Sequence, residues 1–414
     1  MSEPWKNWIP GVLSKGQLKE LWQQGYIENI EQWKDDDSYS AFDLTLTNEG
    51  YRMTKGSVKP FGGRYESRIW SQGLLERLEQ DADGAYLLKR THTYLFKLKE
   101  RLNLTEDARL YGEATARSTI GRMDVLARLI VDGSDRYEGF DAKVFGQGKE
   151  KSNGDMYLEI TPMTFNVRVK QGIPLSQLRI FRGRPHDSEI GGEEVYEPLL
   201  HVSGGDAPGM DGSLSADLQP TSIVPGHEAS AFWAKRKEPN DPPIDLWPKE
   251  GTKPLPSNYW QFLRWDDHNR ITIAQTHFYI IRSRERISLP GGVAVYCKAS
   301  DEKIGEMRIH YAGFAHPFFG TDREDDTVGT PLIFEVRGHD VNVSLQHGEK
   351  MAQLVFYRMS EIPKKISKPP STEKVPCDQG KPYNEQTLQL SKLFAPWPEK
   401  IEVRDDGTVR NLTE

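Results

Sequence analysis

The chain has 414 residues, a net charge of −7 and only two cysteines, Cys297 and Cys377. The length suits two or three domains with full cores. Mild acidity without a basic stripe argues against a nucleic-acid partner, and no apolar run approaches the roughly 18 residues that crossing a membrane takes.

Two cysteines allow one disulfide but no disulfide framework, and the N-terminal MSEPWKNWIPG lacks a signal peptide's apolar core. A reducing, cytoplasmic setting is therefore expected. Along the chain, residues 15–24 predict a helix with Leu18, Leu21 and Trp22 on its apolar face. Alternation in residues 42–46 predicts a strand. A second helix is expected over residues 71–80, and a third over 119–130, whose stripe is Ile120, Met123, Leu126, Leu129 and Ile130. Strand alternation returns at residues 157–161, 165–169 and 332–337, broken by Gly, Pro and Asp/Asn turns. Many short strands with few helices indicate an all-β sandwich, jelly roll or barrel-like fold. Residues 191–212, rich in Gly, Asp and Pro, read as a boundary. Residues 238–257 carry six prolines and predict an extended connector. A Pro/Lys-rich stretch at 364–382 leads to a final segment, 383–397.

An internal repeat organises these elements. YLEITPMTFNVRVKQGIPLSQLRIFR (157–182) lies without a gap over IFEVRGHDVNVSLQHGEKMAQLVFYR (333–358), pairing Glu159 with Glu335, Asn166 with Asn342 and Arg182 with Arg358. Upstream, THTYLFKLKERLNL (91–104) lies over THFYIIRSRERISL (276–289). The order is kept, so the chain reads as two copies of one domain.

Two groups could carry chemistry. In MYLEIT, Glu159 is a carboxylate in mid-strand, where it is costly unless solvated, paired or used. An exposed glutamate or a structural salt bridge is the plain alternative. The second group is Arg117-Ser118-Thr119-Ile120-Gly121-Arg122, where hydroxyls and two guanidiniums at a helix start form a ready phosphate site. The plain alternative is an ordinary capped helix with surface arginines. The corresponding stretch of the second copy, residues 297–304, has no arginine and gains Asp301 and Glu302, so phosphate is expected at the first copy only. His92 and His277 recur beside Tyr94 and Tyr279, which favours a structural role; His310 and His316 fit a turn-and-core role better than acid–base work. Neither H-E-x-x-H nor the P-C-x-x-C spacing of the zinc deaminases occurs.

RSTIGR followed downstream by YLEI resembles the Arg-Ser-Ser-x-x-Arg and Leu-Glu motifs of the deoxycytidine triphosphate deaminases, relatives of the trimeric dUTPases. SAFDLTL (40–46) is similar to that family's Ser-x-x-Asp-Leu-x-Leu strand, and GEMRIHYAGFAHPFFG, FWAKRKEPNDPPIDL and YNEQTLQLSKLF have counterparts in its long, duplicated bacterial form.

The resemblance implies a mainly β fold of two tandem dUTPase-like (β-clip, distorted jelly-roll) domains with a few short helices. Residues 1–190 would form an active first domain, 191–230 a linker, and 231–400 a degenerate second domain with a C-terminal arm. It also implies zinc-free deamination of dCTP to dUTP and ammonia. Glu159 would activate the water, with Arg122 and Ser118 beside the base. Arg117, Ser118 and Thr119 would hold the substrate's triphosphate, normally with Mg²⁺, Arg122 would bind the substrate at its base, and Tyr383 and Gln386 of the arm would close over it. A homotrimer is expected. A dUTP pyrophosphatase of the same fold, which would need a water-positioning Asp such as Asp132 or Asp135, stays open as an alternative, alone or combined with deamination. A non-catalytic nucleotide-binding protein is the third.

Overall fold

The structure is a computed structural model and describes residues 3–31, 33, 39–146, 152–202, 211–236, 238, 240–247, 253–299, 306–310, 313–321, 328–365 and 387–412. Both copies build a sheet with the same strand order. In the first, Leu110–Ala116, Pro174–Arg182, Phe42–Met53, Tyr94–Leu98, Met156–Pro162 and Val125–Val131 lie side by side. In the second the order is Val293–Ala299, Lys350–Arg358, Ser213–Asp217, Phe278–Ile287, Thr330–Gly338 and Met307–His310. The mainly β, tandem architecture expected from the repeat is what the chain forms.

The repeat extends to single hydrogen bonds. Thr91 and Thr276 both turn through a left-handed backbone, with φ of 64° and 61°. After each, a tyrosine hydroxyl takes a backbone N–H: Tyr94 from Lys89 at 2.8 Å, Tyr279 from Ala274 at 2.9 Å. Asn166 and Asn342 accept from Arg90 and Gln275 at 3.0 and 2.9 Å. Glu100 accepts both the N–H and the hydroxyl of Thr45, and Glu285 those of Ser215. A buried carboxylate so satisfied pins the central strand of each sheet.

The two copies share one junction. Gly11–Val12 pairs with Phe181 and Arg182 of the first sheet, while Val12 bridges Met359 of the second. Between the sheets Val12, Tyr111, Phe181, Ala294, Tyr357 and Met359 form an apolar cluster. Arg179, fully buried, donates to the Val295 carbonyl at 3.3 Å and lies 3.7 Å from the Phe314 ring centre. His316 faces the Ser40 hydroxyl at 3.0 Å, so it belongs to this junction. Within the proline-rich stretch, Ile244–Asp245 adds a parallel strand to Val167–Lys170 of the first copy, where Arg168 pairs with Asp245 at 2.6 Å.

Three expectations are corrected. The helix over residues 119–130 is one turn, Ser118–Gly121, followed by the strand Val125–Val131. Apolar residues spaced like a helix stripe are also what a strand buried on both faces shows, and Asp124, at φ 55°, breaks any helix at that point. The helix expected at 71–80 lies earlier, at Tyr65–Ser71, because Gly73 (φ 61°) reverses the chain into Leu75–Arg77. The stretch read as a linker holds Glu193–Leu199 as helix and Ser213–Asp217 as a central strand of the second sheet, so the second domain starts earlier than residue 231. The helix at the start, Lys15–Gln23, is as expected, with Ser14 and Gln17 forming a capping box.

Candidate active site

The strand Leu110–Ala116 delivers the chain to Arg117, and the single turn Ser118–Gly121 closes with the Arg122 N–H on the Ser118 carbonyl at 3.1 Å. One turn carries little dipole, so any affinity for anions here rests on side chains. Arg117, half-buried, is held by Asp43 of the SAFDLTL strand at 2.6 Å. Ser118 is exposed and Thr119 is partly so. Arg122 points inward, 2% exposed, and donates to the Gln389 carbonyl at 3.2 Å. The Ser391 hydroxyl donates to the Thr119 carbonyl at 2.8 Å, so the C-terminal segment packs directly on the motif. Tyr383 and Gln386 lie outside the described residues.

Glu159 is not part of this arrangement. Antiparallel pairing sets it opposite Arg128, whose guanidinium bonds Oε1 through both Nε (3.1 Å) and Nη2. Its other oxygen accepts from Ser57 at 2.6 Å and Tyr137 at 3.0 Å, and Arg128 also stacks 4.1 Å over the Tyr137 ring. The motif's end meets this strand elsewhere: the Asp124 carbonyl takes the N–H of Met163, four residues on, or about 13 Å at strand rise. Within one chain, therefore, Glu159 does not stand beside Arg122 and Ser118. Sheet register places residue 128, not 122, across from it.

The carboxylate that does meet the motif is Glu335. It lies against Gly121 so closely that a Cβ there would stand 2.4 Å from its Oε2. Glu335 is buried, and desolvation pushes its carboxyl up to about 8, with the Arg122 guanidinium pulling it down and Asp124 pushing it up. The residue paired with Glu335 across the sheet is His310, where the first copy has Arg128 opposite Glu159. Two residues along the same strand, Arg337 reaches back to Asp124 and to the Thr164 hydroxyl (3.1 Å).

Glu335, Asp124 and Arg337 are what reading the motifs copy by copy missed. The repeat itself carried the signal, since it aligned Glu335 with Glu159. The degenerate stretch that follows Cys297 obscured it: Val293–Ala299 is the counterpart strand, and residues 300–304 lie outside the described residues. Among the described residues no three His, Cys, Asp or Glu side chains gather as a metal set.

Tandem sheets of one strand order, with an arginine-bearing turn of one copy closed by a carboxylate of the other, define a duplicated domain of the dUTPase-like class. Residues 9–184 match the family described as 2'-deoxycytidine 5'-triphosphate deaminase (DCD) N-terminal domain, and residues 210–394 match its C-terminal domain. The fold is similar to the crystal structure of 2'-deoxycytidine 5'-triphosphate deaminase from Agrobacterium tumefaciens, at 26% identity and a TM-score of 0.71, covering 86% of this chain and 99% of that one. No curated protein matches the sequence. The chain belongs to the dCTP deaminase family, in its long, duplicated form.

Proposed function

We propose that the chain deaminates dCTP at a site shared between its copies, with Glu335 as the carboxylate that activates water. The reaction adds water across C4 of the cytosine ring and expels ammonia, leaving dUTP. Glu335 would carry one proton of the attacking water to the ring nitrogen and the second, from the hydroxyl then on C4, to the leaving amine. A buried carboxyl raised toward neutrality suits that shuttle, because it gains and loses a proton near the working pH. Arg122, desolvated beside it, would stabilise negative charge developing on the ring or hold the nucleotide.

Arg117, Ser118 and Thr119 border the solvent side of the same turn and would take the triphosphate. Their cationic and hydroxyl character fits phosphate oxygens, so Mg²⁺ would arrive on the triphosphate and neutralise its charge there. Catalysis without zinc, closure by Tyr383 and Gln386, a homotrimer and a cytoplasmic setting complete this reading.

The observation that carries it is the close approach of Glu335 to Gly121 of the motif, with the Arg122 guanidinium near enough to draw its carboxyl down. Glu159 is the weaker candidate for the base, since Arg128, Ser57 and Tyr137 already engage both its oxygens. The pyrophosphatase alternative gains nothing from Asp132, which accepts the Tyr65 N–H at 2.8 Å and pairs with Arg64 at 3.0 Å, tying down a loop.

The test compares Glu335→Gln with Glu159→Gln on dCTP and dUTP, with ammonia and pyrophosphate assayed separately. Glu335→Gln should lose on the order of 10²–10⁴-fold in ammonia release. Glu159→Gln should keep turnover within several-fold yet lose about 1–3 kcal/mol of stability, because Arg128 loses its charged partner. The reverse pattern would return the base to Glu159, and pyrophosphate release from dUTP would favour the alternative.

A further inference from the structure

Three buried ionisable groups and one partly buried guanidinium meet where the copies join. From the first copy come Arg122 and Asp124, and from the second Glu335 and Arg337. Each copy offers one acid and one guanidinium two residues apart, in opposite order: Asp124 pairs with Arg337, while the Arg122 guanidinium acts on Glu335 through its charge. On the strand Thr330–Gly338 that spacing sets both side chains on one face.

Asp124 is 1% exposed and is fixed by its backbone as well. Its N–H bonds the Gly121 carbonyl at 2.8 Å, its carbonyl takes the Met163 N–H at 2.9 Å, and its left-handed φ of 55° holds that turn. Its carboxylate accepts from the Thr164 hydroxyl and from Arg337, and Arg337 also donates to Thr164.

We propose that Asp124 and Arg337 are positioning residues for deamination: an ion pair across the junction that holds Arg122 and Glu335 in register and matches the intact motif to Glu335 rather than Glu159. The first copy shows why the match is selective. The residue aligned with Arg337 there is Thr161, so the same turn docked on the Glu159 strand would bury Asp124 without its cation. The pair also ties Glu335 to the turn at a second point along its strand, which limits rotation of the carboxylate away from Gly121.

This inference rests on Glu335 being the base, and the experiment separates the two. We would measure kcat, KM and thermal midpoint for Asp124→Asn, Arg337→Gln, the double variant, Arg337→Lys and Glu335→Gln with dCTP. Misplacement of the base by about 1 Å should lower kcat by about 30- to 100-fold in each neutralising variant while KM stays within about threefold. The double variant should be no slower than the worse single, since the two act as one unit, and Arg337→Lys should recover most of kcat. Should a single variant fail to fold, the neutral double, which leaves no lone buried charge, carries the test. Multiplicative losses, or a folded double variant within threefold of the parent kcat, would overturn the positioning role alone. Full activity in Glu335→Gln would overturn it together with the assignment of the base.

Discussion

Gly121 and Glu335 touch across the junction with no room for a side chain between them: a Cβ on Gly121 would also stand 2.8 Å from the carboxyl carbon of Glu335. Gly121 is not among the residues of positive φ, so its lack of a side chain serves close approach rather than an unusual backbone. The glycine of RSTIGR is therefore part of the site, as the seat for a carboxylate from the other copy.

Gly121→Ala should push Glu335 off that seat. The expected result is a fall in kcat of about 100-fold, with a stability loss of about 1–3 kcal/mol from overpacking. Steady-state kinetics and urea denaturation measure the two separately. A Gly121→Ala enzyme with the parent kcat would show that the close contact has no part in turnover.

The pH dependence of activity and stability should run in opposite directions. As a base, Glu335 must be ionised, so kcat/KM should rise with pH through a limb well above the usual carboxylate range, toward about 8. For stability the sign reverses. A carboxyl whose folded-state pKa is raised holds its proton more tightly in the folded chain than in the unfolded one. Its contribution is present below the ordinary carboxyl value of 4.5 and is lost as pH climbs to about 8. Glu335→Gln should thus gain stability over the parent in alkaline buffer and show no such gain at about pH 4. Asp124, raised to about 6 by burial, tilts both proteins the same way, so the difference between them reports Glu335. Parallel melting curves at every pH would refute the buried, raised carboxyl.

Strands with alternating residues were legible because side-chain direction alone fixes period two: the strands at Phe42–Met53, Met156–Pro162 and Thr330–Gly338 cover the segments the pattern marks. The duplication was legible too, down to the Tyr94 and Tyr279 turns. Residues 119–130 misled because Ile120, Met123 and Leu126 satisfy helix spacing while tertiary burial decides for a strand. The site itself was half legible. RSTIGR carries its own signal, but which carboxylate closes it depends on how the copies dock, and that is set by residues such as Asp124 and Arg337 that are distant in sequence. No local pattern encodes a contact across 213 positions.

The resemblance implies a C-terminal arm that closes over the substrate. Its described part is built into the core instead. Leu388, Leu390, Leu393, Phe394 and Trp397 are all buried, and Phe394 packs among Phe165, Tyr259 and Trp260 with ring centres 5.5–6.4 Å apart. Truncation to an Ala at such a site leaves a cavity that well-packed aromatic neighbours only partly fill. Phe394→Ala should therefore cost about 3–5 kcal/mol in urea denaturation, and deleting the whole segment should prevent folding. Ser391→Ala removes only the hydroxyl that donates to the Thr119 carbonyl. It should cost about 1 kcal/mol while disturbing the motif directly, so its kinetic effect should exceed that of a surface control such as Ser71→Ala. A Phe394→Ala protein less than 1 kcal/mol below the parent would mean that the segment rests on the core as a detachable cover.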